Sequence, residues 1–504
     1  MTAPAPVYLD DLLVEAGDDL LRQERRGERI AISGLAYDSR QVKPGFLFAA
    51  VPGFKVDGHD FIGQARESGA AAVLTERWIG DAGLPQVQVS SVRKAMACAA
   101  AIFYGNPSKS LSLIGVTGTN GKTTTTYLID SIFHAAGLTT GLIGGIEYRN
   151  GKKSSPARRT TPESIDLQRM LREMNDAEVQ AATMEVSSHG IDLYRVASLD
   201  FAIAVFTNLT RDHLDLHGDM ERYFQSKRSL FAGSLDKPGD PGAAIAPNRP
   251  VAVVNVNDSY GQRLVKEFGD GATTFGMNPE ALVRAGKIEY AGWETGFDLI
   301  TPSGQAPVRL HLPGAYNLEN ALGAAAATLS LGVAPEIIAA GLTASRGAPG
   351  RFEPVDTDAP FRIVVDYAHN EDGLAKALTA ARSLTSGKLI LVFGCPGERD
   401  REKRPAMGRT AGSLADLAIL TTDDCYDEPA GQILDETEPG LIDSGVSYRR
   451  IPDRREAIEA AVNTAGNGDT ILIAGKGHET SQLIGGRALP FNDRDVVREI
   501  ITQR

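Results

Sequence analysis

The chain has 504 residues, 42% hydrophobic and 23% charged, which is ordinary globular composition and enough for about three domains. Against 52 Lys and Arg stand 64 Asp and Glu, a formal net charge of −12 that argues against non-specific nucleic-acid binding. The three cysteines, Cys98, Cys395 and Cys425, are too few and too scattered for a disulfide framework or a metal site, so a reducing compartment is expected.

The first residues, MTAPAPVYLDDLLVEAGDD, lack the basic and apolar regions of a secretory signal, and no run approaches the ~20 apolar residues of a membrane span. The expectation is a cytoplasmic protein without membrane insertion. Residues 1–108 mix short strands and helices and end at the turn-rich Tyr104-Gly105-Asn106-Pro107-Ser108. From Leu111 the buried-strand pattern LSLIGV opens a region of alternating strands and helices, with further strands predicted at 181–187, 201–209 and 251–256. The Ala-rich stretch Ala321–Leu331 reads as a packed helix. A second break falls at Arg346-Gly347-Ala348-Pro349-Gly350, and four more strands are predicted beyond it, at 362–367, 388–394, 417–422 and 470–475. This alternation predicts an α/β fold of three domains: 1–108, a central parallel-sheet domain of P-loop type over 109–345, and a Rossmann-like α/β domain over 346–504. Polar motifs follow the strands, where open α/β sheets bind ligands, so a reaction site between the last two domains is expected.

LSLIGV runs into Thr117-Gly118-Thr119-Asn120-Gly121-Lys122-Thr123-Thr124, followed by a helical pattern from Thr125 to Ala136. Glycines allow the tight turn that aims successive backbone N–H groups and a helix N-terminus at phosphate oxygens. Lys122 is then placed for the β/γ-phosphates and the Thr123 hydroxyl for Mg²⁺. The strict P-loop spacing is not met, because Val116 stands where the first glycine belongs and Gly118 supplies the turn. Residues 118–124 are the expected nucleotide loop.

TGTNGKTTT is similar to the ATP loop of the Mur ligases and of folylpolyglutamate synthases. DSRQVKPGFLFAAVPGFKVDGHDF (38–61), RTTPES (159–164), MEVSSHGIDLYRV (184–196), FTNLTRDHLDLHGDMERYFQSKRSLF (206–231), LPGAYNLENALGAA (312–325), GRFEPV (350–355), VDYAHNEDGL (365–374), VFGCPGERDREKRP (392–405) and AGKGHE (474–479) follow in the order of the MurE-type branch. The chain thus resembles that branch over nearly its whole length. The resemblance implies an ADP-forming ligase of peptidoglycan precursor synthesis. Such an enzyme uses ATP and Mg²⁺ to activate the carboxylate of UDP-MurNAc-L-Ala-D-Glu as an acyl phosphate, and a diamino acid then attacks it. Two anions meet in such a site, so cations must hold them together.

The resemblance also assigns roles. Lys122, His213 and Lys227 are expected to be catalytic, and Thr123, Glu185, His213 and Lys227 to hold metal, with Lys227 carrying a CO₂-derived carbamate. Alone, Lys227 reads as a solvated helix cation and His213 as a satisfied polar residue. Asn317 matches a base-contacting residue, and Arg351, Asp366 and His369 match groups closing over ribose and phosphate. Ser39 and Phe54, Lys55 and Val56 match the uridine-diphosphate end. Thr160, Thr161, Ser187 and Arg195 match the muramoyl-dipeptide end, although the hydroxyl residues also suit helix capping. Leu193 replaces the Gln of many relatives.

For the incoming amino acid the matching residues are Arg399, Asp423, Asp424, Gly475 and Glu479. Diaminopimelate-adding relatives carry Asp-Asn-Pro-Arg where this chain has Asp423-Asp424-Cys425-Tyr426-Asp427-Glu428-Pro429, without the Arg. Those acids favour an ammonium over a far carboxylate, so L-lysine is the expected substrate and meso-2,6-diaminopimelate the alternative. Two other readings are a sister ligase, such as a folylpolyglutamate synthase or the enzyme adding D-Ala-D-Ala, and a catalytically silent paralogue that binds precursor.

Overall fold

A computed structural model of the chain describes residues 6–14, 19–53, 56–240, 246 and 248–503. Phe54 and Lys55, expected at the uridine-diphosphate end, lie outside the described residues. By its internal contacts the chain divides into two compact units: 1–117, 138–204 and 224–252 in one, and 118–137, 205–223 and 253–504 in the other.

The first unit holds two sheets. One runs Leu20–Gln23, Gln86–Val89, Ala72–Thr75, Phe46–Ala49, Gly34–Ala36, parallel except for its first pair. Helix Val92–Phe103, capped by Ser91 accepting from Lys94 N, lays Val92, Ala95, Met96, Ala99 and Ala100 on Leu47, Leu74 and Val87. That spacing is one helical face. In the second sheet the neighbours are Lys153–Pro156, Glu147–Asn150, Thr140–Ile143, Ala181–Glu185 and Ser112–Thr117. The last three are parallel and almost wholly buried, as continuous apolar runs require.

In the second unit, helix Lys122–Ala135 packs against helices Ala315–Ser330 and Pro335–Ala344. Small residues permit the approach: a Cβ on Gly341 would overlap the Ile132 backbone. Val253–Asn255 pairs in parallel with Thr273–Gly276, which continues into an antiparallel meander of Val283–Ala291, Glu294–Thr301 and Gly304–Leu310. A separate sheet takes the order Glu353–Pro354, Arg362–Asp366, Thr470–Ala474, Leu389–Phe393, Leu417–Leu420, Ser447–Arg450. After its first, antiparallel pair it is parallel throughout. Thr470–Ala474 lies between Arg362–Asp366 and Leu389–Phe393, so the strand order reverses there. The carboxyl ends of these three strands and of Leu417–Leu420 therefore flank one crevice.

The α/β class is as expected, and all eight predicted strands are present. The antiparallel additions were not anticipated. VRAGKIEYA and EYRN carry too few apolar residues to be read as strands, and their pairing depends on neighbours rather than burial. Among the described residues no helix is long and apolar enough to cross a membrane.

Candidate active site

Strand Ser112–Thr117 ends in a loop that only glycine can turn. Gly118 has φ +148° and Gly121 φ +89°, and a Cβ on Gly118 would overlap Thr207 Oγ1. Helix Lys122–Ala135 starts directly after Gly121, so Thr123 and Thr124 sit buried in its first turn. The wall behind the loop is Thr207–Thr210. Thr119 N donates to Asn208 O (2.9 Å), Asn120 N to Asn208 Oδ1 (2.9 Å) and Thr207 Oγ1 to Asn120 O (2.7 Å). Lys122 Nζ folds back onto the carbonyls of Gly118 (3.0 Å) and Thr119 (2.8 Å).

Residues from beyond position 350 meet this loop. Arg351 Nη2 donates to Thr123 Oγ1 (3.1 Å), and its guanidinium lies 4.0 Å over the Tyr367 ring. Asn120 Nδ2 donates to Asp372 Oδ2 (2.7 Å), and Asn370 Nδ2 to Asp212 Oδ2 (3.0 Å). Asp366 accepts from Phe352 N (2.7 Å) and Ala368 N (2.8 Å), and burial raises its carboxyl above the usual range. His369, its Nδ1 3.0 Å from Tyr367 O, is pushed down to about 4, by burial first and by nearby Lys403 second.

Beside the loop lies a pocket lined by Asn120, Asn208, Asn255, Tyr316, Glu319, Asn320 and Lys376. Asn317 is not among its lining residues; it braces the start of its helix by donating to Pro313 O (2.9 Å). Asn320, one turn on in the same AYNLEN motif, does line it. The side-chain direction, invisible in the sequence, makes the difference.

In the first unit, Lys227 is 1% exposed and its Nζ reaches Thr117 Oγ1 at 3.4 Å, so it is not the solvated cation its isolated sequence suggests. Glu185 is also buried, with Oε1 accepting from Gly145 N (2.8 Å). Thr161 Oγ1 joins Glu185 O (2.9 Å) to Ser187 Oγ (3.0 Å), and Arg195 donates to Thr161 O (3.1 Å). Glu163, unremarked in the sequence, gathers Arg195 (3.0 Å) and Arg93 (3.1 Å). Ser187 also caps its helix, accepting from Gly190 N. The Thr160 hydroxyl would lie 3.3 Å from a Cβ built on Gly145. Ser39 donates to Gln64 Oε1 (2.7 Å), whereas Val56 is exposed. His213, in the second unit, has φ +54° and precedes the short helix Leu214–His217. Among the described residues no three His, Cys, Asp or Glu are grouped to hold a metal ion.

The acids of the 423–428 loop are mostly spoken for. Lys476 is 1% exposed and donates to Asp424 Oδ1 (2.7 Å) and Glu479 Oε2 (2.6 Å). Glu428 is gripped by Arg404 (2.8 Å) and Arg401 (3.0 Å). Arg454 forms a bidentate pair with Asp493 (2.8 and 2.8 Å) and also donates to Ala474 O (3.0 Å) and Thr422 O (3.4 Å), at the ends of two strands. Gly475, at φ +115°, leaves room for Asp423 Oδ2. The lysine expectation rested on four carboxylates facing the substrate; Asp424 and Glu428 are instead paired within the protein, which weakens it.

Three family profiles match in sequence: the Mur ligase family catalytic domain over 31–104, the Mur ligase middle domain over 116–328, and the Mur ligase glutamate ligase domain over 350–477. The chain belongs to the Mur ligase family. It is of the MurE type and an ATP-dependent amide-bond ligase. Among Mur ligases similar to it is one from Geobacillus kaustophilus, 45% identical over 94% of this chain and 95% of its own. Another, from Geobacter metallireducens, is 42% identical over 93% and 94%. Both are named UDP-N-acetylmuramoyl-L-alanyl-D-glutamate–2,6-diaminopimelate ligases. A solved structure of that name is 30% identical, covers 99% of each chain and superposes with a TM-score of 0.68.

Proposed function

We propose that this Mur ligase adds meso-2,6-diaminopimelate to UDP-MurNAc-L-Ala-D-Glu with ATP. The observation that carries the reading is the relatives' shared name at 42–45% identity over nearly the full chain. The internal pairing of Asp424 and Glu428 supports it, because those acids no longer repel a second carboxylate.

In this reading the loop 118–124 cradles the ATP phosphates with its backbone N–H groups, and Lys122 swings from the Gly118 and Thr119 carbonyls onto them. Arg351 brings a second cation to the Thr123 hydroxyl. Asn320 and Tyr316 face the base, while Asp366 and His369 hold the segment that covers the ribose and phosphates. The substrate carboxylate attacks the γ-phosphorus and ADP leaves; the amine of the second substrate then attacks the acyl carbon and phosphate leaves. Bound Mg²⁺ would supply positive charge against the phosphate and carboxylate anions. The Thr123 hydroxyl and the buried Glu185 suit it, since Mg²⁺ keeps several waters and takes few protein oxygens; His213 is the third candidate. Lys227, buried beside Thr117, is assigned to the carbamate position. Ser39 and Val56 are assigned to the uridine-diphosphate end, and Thr160, Thr161, Ser187 and Arg195 to the dipeptide. Glu479 and Gly475 are assigned to the amine. Domain boundaries near 108 and 346 complete the proposal.

The test is phosphate release with UDP-MurNAc-L-Ala-D-Glu and alternative acceptors. The expected kcat/KM for meso-diaminopimelate is at least about tenfold above that for L-lysine, or about 1.4 kcal/mol. A preference for lysine overturns the acceptor assignment.

A further inference from the structure

In the first unit, the hairpin of Glu147–Asn150 and Lys153–Pro156 concentrates positive charge in an acidic chain. Between Glu147 and Glu163 stand Arg149, Lys152, Lys153, Arg158 and Arg159, and no acid. Arg149 lies 3.8 Å from Glu147, and Arg159 3.8 Å from Glu163. Lys152, Lys153 and Arg158 are exposed, and among the described residues none of the three is in an ion pair. Guarding the open edge explains some of this charge. Strand Lys153–Pro156 is exposed along its length, and a Lys and a Pro there discourage pairing with another chain. Edge guarding does not call for Lys152 in the turn or for Arg158 beyond the strand.

Both ends of the hairpin are fixed at the candidate site. Before its first strand, Gly145 N donates to Glu185 Oε1 (2.8 Å). After its second strand, Ala157 N donates to Ile146 O (2.9 Å). The Tyr148 hydroxyl accepts from Arg158 N (3.1 Å) and Arg159 N (2.8 Å) and donates to Arg159 O (2.6 Å). The next residues are Thr160 and Thr161, assigned to the dipeptide. Four-residue strands carry the turn on the order of 10 Å from this root, about one Debye length at ~0.1 M salt. The field of the whole hairpin is therefore felt where the dipeptide residues lie.

UDP-MurNAc-L-Ala-D-Glu carries a diphosphate and two glutamate carboxylates, ionised near pH 7. A chain of net charge −12 repels such a ligand as a whole, and only a local field of opposite sign reverses that at the site. We propose that Lys152, Lys153 and Arg158 form an electrostatic collector for the nucleotide-peptide, raising its local concentration and its rate of capture without touching the reacting groups. This rests on the assignment of that substrate to the first unit, and it holds whichever diamino acid follows.

The test compares the wild-type full chain with the triple variant Lys152→Gln, Lys153→Gln, Arg158→Gln over a series of NaCl concentrations, with nucleotide-peptide and ATP varied in turn. At low salt the variant's kcat/KM for UDP-MurNAc-L-Ala-D-Glu is expected to fall on the order of tenfold, the low end of what electrostatic focusing contributes. Its kcat and its KM for ATP are expected to change little. The two proteins are expected to converge at high salt, where exposed charges are screened. Lys152→Glu, in the turn and outside both strands, is expected to lower the same kcat/KM by itself, which keeps the test open if the triple variant misfolds. Wild-type kcat/KM in the variants at low salt overturns the inference, whether they aggregate, as edge guarding requires, or lose binding to phosphatidylglycerol vesicles, as a membrane patch requires. An equal loss for nucleotide-peptide and ATP, or a deficit undiminished at high salt, overturns it as well. Wild-type enzyme that releases no phosphate with UDP-MurNAc-L-Ala-D-Glu overturns the parent reading and the inference with it, before any variant is made.

Discussion

Lys122 and Lys227 are both lysines at the end of strand Ser112–Thr117, yet they ask for opposite tests. Lys122 braces the loop through two carbonyls, but Asn208 and Thr207 hold the same loop independently. Lys122→Ala should therefore keep its fold and lose phosphate release on the order of 10²–10³-fold, the usual cost of a removed charge-stabilising group. Circular dichroism together with turnover checks this, and near-normal turnover would remove the loop assignment. Lys227→Ala, by contrast, is expected to be severely impaired and partly restored by formate or acetate, because the proposed carbamate would supply an anionic oxygen there. A fully active variant without additives would show that the buried amine serves only packing. The loop was legible in the sequence because phosphate binding by backbone N–H groups demands glycines at short, local spacing. The state of Asp424 was not: its partner Lys476 is 52 residues away, and counting acids along one loop missed it.

At the scale of elements, helix Lys403–Leu414 and the loop before helix Ala430–Ser444 are joined through Arg404, fully buried, to Glu428 and Glu436. The Arg404 hydrogen bond holds the Glu428 carboxyl down at about 2, against an ordinary 4.5. A depressed carboxyl contributes stability that is complete above pH ~4.5 and is lost as pH falls towards ~2. The unfolding free-energy difference between wild type and Glu428→Gln should accordingly shrink across that window, as measured by denaturant titration at a series of pH values. A difference that stays constant from pH 6 to pH 2.5 would mean that the pair adds nothing ionic. The strands of this half were legible as apolar runs, since a parallel sheet buried on both faces leaves little room for polar residues. The meander Val283–Leu310 was not, because its strands take their place from pairing with one another.

For the whole molecule, the second unit binds its nucleotide loop to residues 351–372 through Arg351, Asn120, Asn370 and Asp372. A ligand in that loop should stabilise far more than the loop itself. With a non-hydrolysable ATP analogue and Mg²⁺ at about 100 times Kd, the expected gain is about 2.7 kcal/mol, read as a rise in Tm. Lys122→Ala should show a much smaller rise at the same concentration. No rise in the wild type would remove the nucleotide from this site.

The Arg454–Asp493 pair ties helix Asp493–Thr502 to the ends of the strands that carry the acceptor residues. A protease that clipped the chain just before Asp493 would take away no residue proposed to touch substrate, yet it would strand a guanidinium in the interior beneath Thr422 and Ala474. Stranding a buried charge costs about 3–5 kcal/mol. Prematurely terminated or trimmed copies would thus be inert rather than half-active.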